Sequence, residues 1–197
     1  HTPTRRQRQM CIRDRLSRVG GLHHDIGKIS NPSFFTENQL SEQNPHDDIS
    51  EKESVETIKR NVVDGVKLAK NAGVPERVIE FIKTHHGTNL IGYFYNKEVK
   101  LDPEINKVDF RYDGPKPFSV EMALVMMCDS VEAATKSLDK PDNDKIDSFV
   151  ETIIDKQVED QQFENCELTF KNISIIKSVL KEKLKNIYHI RVSSVSY

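Results

Sequence analysis

The chain has 197 residues, of which 36% are hydrophobic and 30% charged, enough for one sizeable domain with a buried core. The formal net charge of -2 excludes a general electrostatic attraction to nucleic-acid polymers or anionic membranes. The three cysteines have neither metal-type nor disulfide-type spacing, and no apolar run is long enough to span a membrane. An anionic substrate would therefore have to bind at a local site.

The first and last residues differ from the rest of the chain. Residues 2–15 are basic, lack an apolar helical face and join abruptly to a well-patterned helix. We interpret residues 1–15 as a non-native or disordered segment, of the kind that read-through of a sequencing adapter produces; a native basic tail is the alternative. Residues 16–191 then form one domain that is truncated at its N-terminus, and residues 192–197 form a tail.

Apolar residues at helical spacing predict an all-α domain, since the alternation typical of strands is scarce. The first predicted helix covers residues 16–29, and a loop with several prolines and asparagines follows over residues 30–49. Ser50 and Glu53 have the spacing of a capping box, so the second helix begins there and ends near Asn71.

A third predicted helix starts after Pro75, which suits a first helical turn, and has His85 and His86 at its C-terminal end. The later segments are, in chain order, a surface excursion over residues 97–118 and helices over residues 119–138, 143–161 and 172–188.

Two adjacent pairs, His24-Asp25 and His85-His86, suggest a metal site. Neutral imidazoles and a carboxylate are ligands for transition ions, and one carboxylate can bridge two ions. Each pair alone has a plainer explanation, as an exposed polar pair or a polar helix terminus. Asp129 adds a third piece, because a carboxylate inside the most apolar predicted helix is costly unless it is paired or metal-bound.

The order His24-Asp25, His85-His86 and Asp129 on helices resembles the HD-domain metal phosphohydrolase superfamily. Several surrounding words are similar to the PgpH-type family over about residues 16–191: LHHDIGK (22–28), NPHD (44–47), VDGV (63–66), HHGT (85–88), FRYDGPKP (110–117) and DSVEAA (129–134). Members of that family are membrane proteins with a cytosolic HD domain that hydrolyses cyclic di-AMP to the linear dinucleotide pApA. Agreement between separate motifs makes the resemblance specific.

The resemblance implies a helical bundle around a metal-binding cleft that holds two divalent ions, Mn or Fe. Asp25 would bridge the two ions as a catalytic residue. His24 and Asp129 would bind the first ion, and His85 and His86 the second. The domain would lie in the cytoplasm at the inner face of the plasma membrane, because the parent protein would be anchored through segments absent from this sequence.

Lys28 is expected to have a catalytic and substrate-binding role, because its cation could neutralise a phosphate of the cyclic dinucleotide. Two departures from the family bear on the metals. The family has a further histidine on an upstream helix that this sequence does not contain, and it has a histidine where this chain has Asn61, a doubtful ligand. We therefore expect an enzyme whose metal binding is impaired.

Three functions are consistent with these residues. The first is metal-dependent hydrolysis of cyclic di-AMP to pApA in bacterial second-messenger signalling. The second is hydrolysis of another nucleotide by an HD domain; the Gly-Tyr-Pro word of the cyclic di-GMP branch is absent here, where Gly92-Tyr93-Phe94 stands. The third is a degenerate HD module that binds a nucleotide or a partner without turnover, which Asn61 keeps open.

Overall fold

The computed structural model describes residues 5–35, 38–39, 44–136 and 142–193. These residues form α-helices and short 3₁₀ helices, and the sole β-type pairing among them is an isolated bridge between Leu90 and Arg111. The all-α prediction is confirmed. The chain divides into two units, with the boundary between Lys116 and Pro117, and each unit is described by itself.

The first unit contains four α-helices in its described part, connected by single-turn 3₁₀ helices. In chain order they are α1 (Arg5–His23), 3₁₀ helices Ile26–Ser30, Pro32–Phe34 and Pro45–Asp48, α2 (Glu51–Asn71), α3 (Glu76–Thr84), α4 (Gly92–Glu98) and the 3₁₀ helix Lys107–Phe110. The predictions for α2 and α3 are confirmed, whereas α4 was not predicted.

The start of α2 depends on the predicted capping box. The Ser50 hydroxyl accepts a hydrogen bond from the Glu53 amide (3.2 Å), and the Glu53 carboxylate accepts one from the Ser50 amide (3.0 Å). These two bonds satisfy donors that have no partner inside the helix. At the other end, Gly73 has a φ of 70°, a conformation that stops the helix and that glycine adopts without strain.

The predicted first helix differs from α1 at both ends. α1 begins at Arg5 instead of residue 16, and it ends at His23 instead of continuing to residue 29. The chain turns at His24 and Asp25 and then forms the 3₁₀ helix Ile26–Ser30, whose tighter geometry changes the direction of the following side chains. Residues 1–4 and 194–197 lie outside the described residues. The predicted end, at residue 138, of the helix that begins at residue 119 also lies outside them.

Two small apolar clusters form the core of the first unit. Ala69, Ile79 and Ile82 connect α2 to α3, and a second cluster combines Val55, Phe94 and Phe110 from α2, α4 and the 3₁₀ helix Lys107–Phe110. α1 approaches α3 so closely that a Cβ at Gly20 would lie 2.4 Å from the Phe81 ring. These contacts pack α3 against both α1 and α2.

The prediction of a surface excursion over residues 97–118 is wrong in part. Residues 100–104 are exposed, but Phe110 is fully buried. The Phe110 carbonyl accepts a hydrogen bond from the Ile91 amide (2.8 Å), and the Asn89 carbonyl accepts one from Tyr112 (3.0 Å). The segment therefore returns to the backbone that follows the histidine pair, a long-range pairing that polar local sequence did not indicate.

The second unit consists of α5 (Val120–Lys136), α6 (Asn143–Glu159) and α7 (Phe170–Ser193), close to the predicted bounds. Its buried apolar core includes Met126, Val131, Val150 and Ile154. Opposite charges connect α6 to α7 through three lysines of α7 and three acidic residues of α6. Among the helices that the structure describes, none combines the length and apolar character of a membrane span.

Candidate metal centre

The carboxylate of Asp25 is the centre of the candidate site. Asp25 follows the end of α1, where the His24 amide donates to the Gly20 carbonyl (3.0 Å), and it precedes the 3₁₀ helix, where the Lys28 amide donates to the Asp25 carbonyl (3.0 Å). In this turn Asp25 Oδ2 lies 3.2 Å from His24 Nε2 and 2.7 Å from Lys28 Nζ. The turn brings these three neighbouring side chains to one carboxylate.

Gly27 allows this turn to contact α2. A Cβ at Gly27 would lie 1.9 Å from the Asn61 carbonyl oxygen and 2.6 Å from Asn61 Oδ1. No other residue type fits at this separation without movement of the α2 backbone. On the α2 side, Gly65 allows the same approach, because a Cβ there would lie 3.2 Å from the Gly27 amide nitrogen. The two glycines thus determine the distance between Asp25 and α2.

The second pair of histidines comes from the end of α3. His85 immediately follows the last residue of α3 and is fully buried, and its Nε2 lies 3.6 Å from Asp25 Oδ1. Ligand atoms of Asp25, His85 and His86 all lie within 4.8 Å of one another. Asp25 therefore presents Oδ2 toward His24 and Oδ1 toward His85.

The tautomers of two histidines are set by backbone carbonyls. His24 Nδ1 lies 2.7 Å from the Gly21 carbonyl oxygen, and His85 Nδ1 lies 2.9 Å from that of Ile82. A carbonyl can only accept, so Nδ1 carries the hydrogen in both rings. In the neutral rings, the lone pair of Nε2 then faces the Asp25 carboxylate.

This arrangement fits a cation. Two atoms with lone pairs repel at 3–4 Å unless a proton or a metal ion lies between them, and His85 Nε2 is buried without a hydrogen-bond partner. Metal–ligand bonds of roughly 2.0–2.2 Å separate two ligands of one ion by at most about 4.4 Å, so small movements would close the observed cluster. The donor set of imidazole nitrogens and carboxylate suits a divalent transition ion.

The charge of the site favours an ionised carboxylate. Burial raises the pKa of Asp25, but hydrogen bonds that His24 and His85 donate from Nε2 in their protonated form, and the ammonium of Lys28, outweigh it and hold that pKa well below its usual range. Asp25 is therefore a carboxylate over the whole physiological range of pH.

Asn61 is buried on α2 and directs its amide nitrogen toward the carboxylate. Asn61 Nδ2 donates to Asp25 Oδ1 over 3.3 Å, while Asn61 Oδ1 is buried without a hydrogen-bond partner. In this orientation Asn61 is a donor to Asp25, and its doubtful place among the metal ligands remains a prediction. If the Asn61 side-chain amide were rotated by 180°, its Oδ1 would face Asp25 Oδ1. Two oxygens in contact are favourable only with a cation between them.

The structure gives different positions to the other residues that the sequence indicated. Lys28 is within hydrogen-bond distance of Asp25, and its ammonium also lies 5.2 Å from the centre of the Phe35 ring. Asp129 is half-buried in the middle of α5, in the second unit, and its place in the ligand set remains a prediction. Burial, together with the charge of Asp129, raises the pKa of the adjacent Cys128 thiol to about 11.

Tyr112 was not singled out from the sequence, although it contacts the site. Its ring stacks on that of His86, with centroids 4.1 Å apart and planes 23° apart. The pairing depends on a contact between residues more than twenty positions apart, so no local pattern could have indicated it. The nearest signal in the sequence was the word FRYDGPKP, which contains Tyr112.

A helical scaffold that brings a His-Asp turn to a His-His turn defines a class of metal-binding hydrolase domains. Residues 8–134 match the HD domain family, and the chain belongs to that family. The family implies binding of divalent metal, in agreement with the ligand groups around Asp25.

Within the family, the chain is similar to a named group of proteins. It is 39% identical over 177 residues to cyclic-di-AMP phosphodiesterase PgpH of Bacillus subtilis and 40% identical over 177 residues to that of Listeria monocytogenes. These alignments cover 90% of this chain but 25% of each relative, so the chain spans about a quarter of their length.

The fold agrees with that of a solved relative. The crystal structure of the L. monocytogenes PgpH HD domain in complex with cyclic di-AMP superimposes with a TM-score of 0.85 at 40% sequence identity. The match covers 88% of this chain and 81% of that one. The predicted HD-type helical fold is confirmed.

Proposed function

We propose that this chain is a metal-dependent phosphodiesterase that hydrolyses cyclic di-AMP to pApA in bacterial second-messenger signalling. The observation that carries the proposal is the convergence of Asp25, His85 and His86, whose ligand atoms lie within 4.8 Å of one another. Similarity to the PgpH relatives supports the substrate, because the HD domain of one of them was crystallised with cyclic di-AMP.

We propose that the residues around Asp25 hold two divalent ions, Mn or Fe. Asp25 would bridge the ions, because its two oxygens face different histidines. We assign His24 and Asp129 to the first ion and His85 and His86 to the second. When bound, such ions lower the pKa of water and stabilise the entering and leaving oxygens of a phosphoryl group.

The protein's own contribution is orientation and charge. The Gly21 and Ile82 carbonyls fix the rings of His24 and His85, so the ligand nitrogens face Asp25 before any ion arrives. We assign Lys28 as the residue that neutralises a substrate phosphate, because its ammonium lies beside the bridging carboxylate. A cyclic dinucleotide carries two phosphates, so local positive charge is needed in a chain with a formal net charge of -2.

We also propose that this domain lies at the inner face of the plasma membrane. Its PgpH relatives are about four times as long as the matched region, which leaves room for membrane anchors elsewhere in a parent protein. Cell fractionation of the parent protein would test this proposal: recovery in the membrane pellet supports it, and recovery in the cytosol contradicts it.

The test of the activity is hydrolysis of cyclic di-AMP by the Mn²⁺-loaded protein, with pApA measured by chromatography. We expect turnover by the wild type and a loss of more than about 100-fold in Asp25→Asn, because a direct ligand should matter more than the outer contacts that cost 10–100-fold. Asp48→Asn, at an exposed position, is the matched control and should keep full activity.

Lack of turnover by a wild-type protein that binds Mn²⁺ would contradict the proposal. Hydrolysis of cyclic di-GMP or a nucleoside triphosphate in preference to cyclic di-AMP would instead assign the HD domain to another nucleotide. Both substrates therefore belong in the same assay.

A non-catalytic nucleotide-binding module is the second candidate, and the orientation of Asn61 favours it. With its amide nitrogen directed at Asp25 Oδ1, Asn61 presents hydrogens and not a lone pair to an ion that would bind at that oxygen. Asn61→His should raise Mn²⁺ stoichiometry and turnover if the natural residue limits metal binding. Asn71→His, at the exposed end of the same helix, is the control. Tight binding of cyclic di-AMP without turnover in either form would establish the non-catalytic module.

A further inference from the structure

We propose that Tyr112 is a positioning residue that holds the imidazole of His86 in the orientation needed to bind a metal ion. The inference rests on the proposed metal site, but it concerns a residue outside the ligand set. His86 contacts two rings: that of Tyr112, stacked at 4.1 Å, and that of His85, with centroids 3.9 Å apart. Rotation of the His86 ring is restricted by both.

Stacking restrains the imidazole ring of a metal-binding histidine without using its nitrogen atoms. The rings of His24 and His85 are fixed through hydrogen bonds from Nδ1 to backbone carbonyls. An aromatic ring on the face of an imidazole limits rotation about its side-chain bonds, yet the lone pairs lie in the plane of the ring and remain directed outward from its edge. Tyr112 thus restrains His86 while its nitrogens stay available to an ion.

Tyr112 is attached to the same stretch of backbone that carries His86. The Tyr112 amide donates to the Asn89 carbonyl (3.0 Å), and the Arg111 guanidinium donates to the Thr88 carbonyl (2.9 Å). Both acceptors follow His86 by two or three residues. The backbone segments that carry the two stacked rings are therefore hydrogen-bonded to each other, so the position of the Tyr112 ring relative to His86 is fixed.

The segment that carries Tyr112 is also anchored to the core and to α2. Phe110 is fully buried in a cluster with Val55 and Phe94. Lys59 on α2 donates to the Asp109 carbonyl (3.1 Å) and lies 3.3 Å from Asp113 Oδ1. α2 also carries Asn61, which contacts Asp25. The segment that carries Tyr112 is therefore held against the same helix that contacts the Asp25 carboxylate.

The expected effect on metal binding follows from the size of such restraints. Residues that orient a metal ligand change metal affinity by about 10–100-fold when they are replaced. An aromatic pair on a half-buried surface belongs at the lower end of that range. We therefore expect loss of the ring at residue 112 to weaken Mn²⁺ binding about tenfold.

The test compares Mn²⁺ affinity, by calorimetric titration of the full chain, in the wild type, Tyr112→Leu and Tyr112→Phe. Tyr112→Leu should weaken binding about tenfold, and Tyr112→Phe should restore it to within about twofold, because the ring is retained. Tyr93→Leu removes an exposed aromatic residue of α4 and is the matched control. Tyr112→Met replaces the leucine variant if circular dichroism indicates that the latter is unfolded.

A second measurement does not depend on metal. In the metal-free protein the ring current of Tyr112 should shift the NMR signals of the His86 ring upfield, in addition to any effect of the His85 ring. This added shift should be lost in Tyr112→Leu but persist in Tyr112→Phe. Unchanged affinity and unchanged His86 signals in a folded Tyr112→Leu protein would overturn the proposal. Equal losses in the phenylalanine and leucine variants would overturn stacking as the cause.

Failure of the proposed site itself has a different signature. A wild-type chain that binds no Mn²⁺ would contradict the metal centre and, with it, the role of Tyr112 toward metal. Binding of Mn²⁺ by the wild type without any cyclic di-AMP hydrolysis would contradict the activity and leave the Tyr112 comparison intact.

Discussion

The position of Asp25 depends on close backbone contacts at two glycines, of which Gly27 makes the shorter. Gly27 lets the turn after α1 approach the backbone of Asn61, so the carboxylate reaches His85 at the end of α3. The side chains of Asp25 and the histidines supply the atoms that can bind metal, but the close contact at Gly27 determines the distances between them. Substitution at this glycine should therefore disturb both folding and metal binding.

We predict that Gly27→Ala destabilises the protein by about 1–3 kcal/mol, because a new methyl group would overlap the Asn61 carbonyl. Urea unfolding measures the loss, and Mn²⁺ titration should give weaker binding in the folded variant. Gly21→Ala is the matched control: a Cβ there meets nothing within 4 Å, so alanine should be neutral or stabilising by up to about 1 kcal/mol. Equal effects of the two substitutions would contradict this account.

The helices differ in how far their own sequences define them. The capping box at Ser50 and the stop at Gly73 are local signals, and α2 begins and ends where they predict. The turn at His24 was not predicted, because it depends on the contact between Gly27 and Asn61, thirty-four residues away in the sequence. The sequence alone indicated which residue types could bind metal. It did not indicate the stacking of Tyr112 on His86, because this contact depends on the long-range pairing of residues 110–112 with residues 89–91.

In the second unit, charge pairs connect α6 and α7. Lys177 contacts Glu151 (2.6 Å) and Asp155, Lys181 contacts Glu151, and Lys185 contacts Asp147 (2.7 Å). Hydrogen bonds from Lys177 and Lys181 lower the pKa of Glu151. Because this pKa is depressed in the folded state, the pairs stabilise the fold above the pKa of the unfolded chain and lose their effect as the pH falls.

We predict that Glu151→Gln costs about 0.3–1 kcal/mol at pH 7, the range for half-exposed ion pairs. The difference from the wild type should shrink as the pH drops below about 4 and Glu151 becomes protonated. Urea unfolding at several pH values measures it. Glu182→Gln makes the same charge change at an exposed position of α7 and is the control. If its effect on stability depends on pH as strongly as that of Glu151→Gln, the role of the Glu151 pairs is contradicted.

At the scale of the whole molecule, metal binding should be linked to stability. The buried Nε2 of His85 and the carboxylate of Asp25 have unfavourable contacts that an ion relieves in the folded chain but not in the unfolded one. A ligand that binds only the folded state stabilises it in proportion to the logarithm of its concentration. Thermal unfolding therefore gives a measure of the site that needs no substrate.

We predict that Mn²⁺ at about 100 times its dissociation constant stabilises the wild type by about 2.7 kcal/mol and raises its unfolding temperature. The increase should be reversed by a chelator and be absent in Asp25→Asn. Scanning calorimetry with and without Mn²⁺ measures both. If Asp25→Asn is stabilised as much as the wild type, the ion binds elsewhere and the assignment of Asp25 is wrong.

The bridge between Leu90 and Arg111 has a practical consequence for engineering. It joins the two ends of the segment 91–110, in which α4 and the 3₁₀ helix Lys107–Phe110 are connected by a loop whose residues 100–104 are exposed. Lengthening a loop with fixed ends costs little, about 0.6 kcal/mol for each doubling of its length. A peptide tag or a fluorescent domain inserted near Pro103 should be carried on this loop without displacing the histidine pair.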